Sequence, residues 1–166
     1  MIYIGIDNGV NGGLATYNEE GQILEVKPMP TIKVIGPKGN RNEYNIPEIV
    51  DWFNQFRGIT KMVIVEKAQP FPGMGAHQTF VNARNFGIME GIIATTKLPY
   101  MVVHPKTWQK RMFEGMPKQD TKQASVATAI RLFPNNKFTA TDKATKLHDG
   151  MTDASLMAYY GYLLHK

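Results

Sequence analysis

Four carboxylates stand where chemistry is possible. Asp7 closes the run Ile2-Tyr-Ile-Gly-Ile-Asp7, Glu66 closes Lys61-Met-Val-Ile-Val-Glu66, and Asp149 and Asp153 lie four apart in His148-Asp-Gly-Met-Thr-Asp153. Positions four apart share one helix face, so the last two acids can point to the same place. Gathered together, four carboxylates repel one another strongly unless cations sit among them. An all-oxygen donor set in a chain without cysteine selects Mg²⁺ or Mn²⁺ over zinc. Asp149, followed by Gly-Met-Thr, also reads as an N-cap, whereas Asp153 lies a turn inside a helix whose next residues are apolar. Glycines 9, 12 and 13 allow a turn after Asp7 that brings a polyanion close to backbone N–H groups; the plainer reading is a simple hairpin turn.

The elements that must position these acids follow from periodicity. Ile2, Ile4 and Ile6 alternate with Tyr3 and Gly5, a strand too short to be a helix, and residues 13–17 return as a second strand. Residues 22–28 add a third, making a meander. Residues 28–44, with three prolines and glycines 36 and 39, form a loop or β-ribbon carrying Lys33, Lys38 and Arg41. Ile46, Ile49, Val50, Phe53 and Phe56 recur at helical spacing with Pro47 in the first turn. Residues 61–66 are apolar enough for a strand covered on both faces. After a helix crossover it would run parallel to the first strand, with Asp7 and Glu66 at corresponding ends.

Residues 67–76 hold two prolines and two glycines around Phe71 and read as an exposed loop beside Glu66. Phe71, between two prolines, either presents its ring to solvent, where it could stack on a planar group, or folds back as a core plug. A long helix follows over 77–96, with Ala83, Gly87, Gly91 and Ala94 on overlapping faces; the small residues admit close approach of either the sheet or a second helix. Residues 99–103 form a strand and His104-Pro-Lys-Thr-Trp108 turns off its end. Residues 121–133 read as a helix with Val126, Ala129, Ile130 and Phe133 inward, 134–147 as a polar basic loop, and the last helix carries Leu156, Met157, Tyr160, Leu163 and Leu164 toward the core.

The chain has 166 residues, 43% of them hydrophobic, which suits one domain spanning 1–166 with a sizeable core. No apolar run approaches the ~18 residues of a membrane span, so the expectation is a soluble, cytoplasmic protein with no membrane partner. The net charge of +5 is concentrated: residues 105–146 hold nine lysines and arginines, including Lys106, Lys110, Arg111, Lys118 and Lys122, against three acids. A basic segment next to acidic strand ends is the footprint of a protein that meets nucleic-acid phosphates.

The motifs IGIDNG, VIVEKA and HDGMTDASLMA, in this order and over nearly the whole chain, resemble the acidic set of the RuvC family of Holliday junction resolvases within the RNase H-like superfamily. The resemblance implies an α/β fold with a five-stranded mixed sheet and helices on both faces. It further implies a homodimeric, structure-specific endonuclease that cuts four-way and other branched DNA with two Mg²⁺ per active site, Mn²⁺ substituting. Asp7, Glu66 and Asp153 match its ligands; the fourth is Asp149, with His148 the alternative. Lys106 and Lys122 fall where the family carries active-site lysines, Lys118 being the alternative to Lys122. The family's aromatic in the loop after the glutamate has no counterpart at Gln69, and Phe71 is the nearest ring. Three further readings share parts of this pattern: a flap or RNA/DNA-hybrid nuclease with the same acids, an actin-like ATPase, and a non-catalytic branched-DNA binder.

Overall fold

The computed structural model describes residues 1–36, 39–70, 72–117 and 120–166. Seven strands and five helices follow one another as β1 (Ile2–Asp7), β2 (Gly13–Asn18), β3 (Ile23–Pro28), β4 (Thr31–Gly36), β5 (Gly39–Tyr44), α1 (Ile46–Asn54), β6 (Thr60–Glu66), α2 (Ala76–Thr96), β7 (Tyr100–Val103), α3 (Pro105–Met112), α4 (Thr121–Leu132) and α5 (Asp149–Leu163). Five strands form one mixed sheet in the order β3-β2-β1-β6-β7, and β4-β5 form a separate ribbon. β1 is antiparallel to β2 and parallel to β6, with Ile6 opposite Val65, so Asp7 and Glu66 emerge side by side as expected.

The period of two along β1 sorts its side chains between two cores. Ile2, Ile4 and Ile6 meet Ile49, Trp52 and Phe53 of α1 and Met89, Ile92 and Ile93 of α2 on one face. The other face packs against α3, α4 and α5, through Trp108, Met112, Ala129, Leu156 and Met157. At Gly5, on that second face, a Cβ would stand 2.0 Å from the Ala154 carbonyl oxygen and 2.4 Å from the Ala158 nitrogen. Only the absence of a side chain lets α5 lie directly on β1. The start of α5 is seated the same way, since a Cβ on Gly150 would fall 2.5 Å from the Gly12 Cα.

Several expectations change in detail. Pro105 opens a helix, α3, where a turn was expected; His104 caps it, its Nδ1 accepting from the Lys106 N–H at 3.4 Å. α4 turns a different face inward: Ala124, Ser125, Thr128 and Ala129 are buried while Ile130 is 46% exposed. The reason is a polar seam with α5, in which Ser125 Oγ meets Thr152 Oγ1 at 3.4 Å. Ile46 and Leu164 are exposed, and Trp52, outside the expected stripe, fills the core beneath α1. The 134–147 segment is pinned by buried Phe138 and a bridge between Thr139 and Leu147. Gly87 and Gly91 face outward with nothing within 4 Å of an added Cβ, so the sheet does not account for them.

Gly5→Val would drive two methyls into the α5 backbone, an overpacking with no flexible neighbour to yield. We expect a loss of more than about 3 kcal/mol in urea unfolding. An unchanged midpoint would mean that α5 is not seated on β1 at this residue.

Candidate active site

Two devices deliver the four acids, a pair of strand ends and the first turns of a helix. Asp7 and Glu66 end adjacent parallel strands, and their side chains line a cleft of about 530 Å³ together with Asn8, Lys67, His104 and Lys106. Asp149 lies in the first turn of α5, where the helix dipole favours an acid, and Asp153 follows one turn later. The cap of α5 is His148 and not Asp149: His148 Nδ1 accepts from the Met151 N–H at 3.3 Å. That leaves the Asp149 carboxylate free to pair with Lys122, whose Nζ lies 3.5 Å from Asp149 Oδ2.

The three inner acids are held by neutral donors. Asp7 Oδ1 accepts from the Gly9 N–H at 3.2 Å. Glu66 Oε2 accepts from Trp108 Nε1 at 2.8 Å, and Asp153 Oδ1 accepts from the Ser125 hydroxyl. Among the described residues, none of the three carboxylates is paired with a lysine or arginine. Each keeps some exposed surface, yet its surroundings are mostly protein. Burial, opposed by the Gly9 N–H and reinforced by Asp149, pushes Asp7 up to about 6. Burial also raises Glu66 to about 7 against the Trp108 hydrogen bond, with Asp7 adding to the rise. Asp153 is raised to about 7, first by burial, then by Asp7, with Glu66 and Asp149 contributing less. Asp7 lies close enough to repel Glu66 and Asp153, and Asp149 close enough to repel Asp7 and Asp153.

Among the described residues no three of these groups close a ready-made cage around an ion. The donor chemistry nevertheless fits a hard divalent cation: all oxygen, buried, with Glu66 and Asp153 each using one carboxylate oxygen for a neutral donor and keeping the other. Asp7, Glu66, Asp153 and Asp149 are the residues that would hold it, while His148 spends Nδ1 on the cap.

The basic candidates divide. Lys106 lines the cleft beside Asp7 and Glu66, and Lys110 continues its face one turn along α3. Arg111 is tied to Glu114 at 3.1 Å, and Lys122 opens α4 against Asp149. Phe71 and Lys118 lie outside the described residues. Trp108 and Ser125 are the site residues that sequence reasoning missed; a tryptophan in an expected turn and a serine outside the expected apolar face of its helix gave no sign of the carboxylates they reach.

No family model and no curated protein matches this sequence. Solved structures do. Thermus thermophilus RuvC in complex with a Holliday junction substrate aligns over 99% of this chain and 96% of its own, with a TM-score of 0.59 at 13% identity. The yeast mitochondrial Holliday junction resolvase Ydc2 aligns over 98% of this chain and 80% of its own, with a TM-score of 0.55 at 15% identity. Fowlpox virus resolvase, solved with junction DNA, covers 98% and 99% with a TM-score of 0.50 at 17% identity. This chain has the RuvC fold. The expected architecture, a five-stranded mixed sheet flanked by helices, is therefore found. Within the RuvC fold of this chain, the acids occupy the ends of the two central parallel strands and the start of the last helix.

The raised carboxylates make stability depend on pH in a definite direction. A group whose folded pKa lies above its unfolded value near 4 stabilises the fold below that value and loses the contribution as pH rises through the folded one. For Asp7, Glu66 and Asp153 that window runs from about 4 to about 7. In EDTA the melting temperature should fall between pH 5 and pH 8. Added Mg²⁺ should restore it at pH 8 and change little at pH 5, where protons compete for the site. A Mg²⁺ shift equal at both pH values would contradict the assignment of these acids as ligands.

Proposed function

We propose that this protein is a divalent-metal-dependent endonuclease that resolves four-way DNA junctions. The observation that carries the reading is that Asp7 and Glu66 line one cleft beside Lys106, with Asp149 and Asp153 at the start of α5 near enough to act on Asp7 and with Lys122 on Asp149, in a chain with the RuvC fold. Relatives of that fold were solved bound to Holliday junction substrate or junction DNA, which supports branched DNA as the partner here.

Mg²⁺ or Mn²⁺, two per site, would supply a water made acidic enough to attack and a counter-charge for the leaving 3′ oxygen. This chain's residues do the rest. Asp7, next to Glu66 and near the α5 acids, would hold the ions together with Glu66, Asp149 and Asp153. Trp108 and Ser125 fix the orientation of Glu66 and Asp153, so the carboxylates need little rearrangement when substrate arrives. Lys106, on the cleft wall, would contact the scissile phosphate, and Lys122, held on Asp149, would add positive charge beside it. Lys110 and Arg111 extend the positive surface along α3 for the adjoining backbone. Products would carry 5′-phosphate and 3′-hydroxyl ends.

A junction has two strands to cut symmetrically, which calls for a two-fold dimer. Phe80, 66% exposed, and the exposed Ala83, Gly87, Gly91 and Ala94 make one outward stripe on α2. The stripe fits the α2 of a second copy, since glycines let two helix backbones approach.

Asp7→Asn should abolish nicking of a labelled immobile junction in Mg²⁺ while leaving junction binding intact or tighter, because one negative charge is removed from the phosphate's path. Near wild-type nicking would remove Asp7 from the metal site. Equal cleavage of Y-forks or RNA/DNA hybrids would shift the substrate class, and ATP turnover without DNA would favour the actin-like reading. Gly87→Leu should give monomers by light scattering that nick without resolving; a fully active dimer would place the interface elsewhere.

A further inference from the structure

The β4-β5 ribbon takes no part in the site or in the main sheet, and its shape and composition call for an explanation. It is rooted next to the first catalytic strand: Met29 N–H donates to the Gly12 carbonyl at 3.0 Å, and the Tyr44 hydroxyl donates to the carbonyl of Asn8, the residue after Asp7. From that root the strands stay paired in register from Thr31 opposite Tyr44 to Gly36 opposite Gly39. Six residues per strand give a reach of ~20 Å. One side is braced against α2, where Glu43 holds both Arg41 at 2.8 Å and Arg84 at 3.5 Å. Alternation puts Lys33, Ile35, Asn40 and Asn42 on the opposite side. All four are exposed, Ile35 at 88%, and Lys33 forms no ion pair among the described residues.

We infer that this ribbon is a duplex-binding arm: its outer side, Lys33, Ile35, Asn40 and Asn42, enters the major groove of the DNA arm next to the cut site. The inference rests on the nuclease reading above. The major groove is ~12 Å wide and admits a two-stranded β-ribbon. The side chains suit what lies there: amides pair with adenine edges, a lysine with guanine, and an aliphatic side chain with the thymine methyl. Among the described residues that side carries one positive charge and no acid, which complements DNA and not a basic surface. Its root beside Asp7 and its stiff brace on α2 fix where the arm points relative to the scissile phosphate.

The test uses the full-length protein with K33A, I35S, N40A and N42A combined, all at exposed positions outside the catalytic residues, with far-UV circular dichroism to confirm folding. Probes are fluorescent four-way junctions with arms of 4 or 20 base pairs, bound in Ca²⁺ so that no cutting occurs. The variant should bind the long-armed junction about 10-fold more weakly than wild type and the short-armed junction equally well. In Mg²⁺, a junction library with randomised arm sequences should lose sequence preference several base pairs from the cut. Equal affinity for the long-armed junction, or equal losses on both junctions, would overturn the inference. A shift to monomer in light scattering would overturn it too and make the ribbon a contact between copies. If wild type itself binds no junction, the nuclease reading fails first, a result visible before the variant is compared.

Discussion

The site depends on one close contact, the seating of α5 on β1. At Gly5 the backbone of Ala154 comes nearer than any side chain would permit, and at Gly12 and Gly150 two backbones meet the same way. Helix–sheet packing at ordinary distance would hold Asp153 back from Asp7 by about the thickness of a side-chain layer. Here the residue next to Asp153 touches the strand itself. Position then follows from chain geometry: Asp153 stands one turn after Asp149, and Asp7 two residues after Gly5. The acids meet because the main chains do.

That meeting is electrostatically unfavourable without cations. Three carboxylates are raised above their ordinary range chiefly by burial, and the repulsion among them adds to it. The protein answers with neutral donors from Trp108, Ser125 and the Gly9 N–H, and keeps its lysines at the rim, on Lys106 and Lys122. A lysine inside the group would satisfy the charge and occupy the place of the cation. Neutral donors orient the carboxylates and leave the negative potential in place, a local sacrifice of stability of the kind functional sites commonly carry.

Much of this was readable in the residues, and the failures have physical reasons. Strand-ending Asp7 and Glu66 stood out because apolar runs stop at them, and their adjacency followed from the helix crossover between β1 and β6. Asp149 and Asp153 were legible through helix periodicity. The role of Gly12 was not: it allows a turn, as expected, but it also makes room for Gly150, a residue 138 positions later, which no local pattern records. α3 was hidden because His104-Pro105 reads as a turn until the histidine is seen capping a helix. The inward face of α4 was misread because Ser125 and Thr128 are buried against α5, where a hydrophobic pattern points instead to Ile130. Gly87 and Gly91 were open between two readings, and their empty surroundings remove the sheet from consideration.

The central claim is that α5 brings Asp149 and Asp153 to Asp7 and Glu66 to hold divalent cations. Anomalous diffraction from crystals soaked in Mn²⁺ tests it most directly, because manganese peaks locate the ions without reference to activity. The account predicts manganese in the cleft with Asp7 as a shared ligand, completed by Glu66 and by the acids of α5. Manganese bound elsewhere, or a cleft that stays empty at millimolar Mn²⁺ above pH 7 with Lys122 still on Asp149, would contradict it.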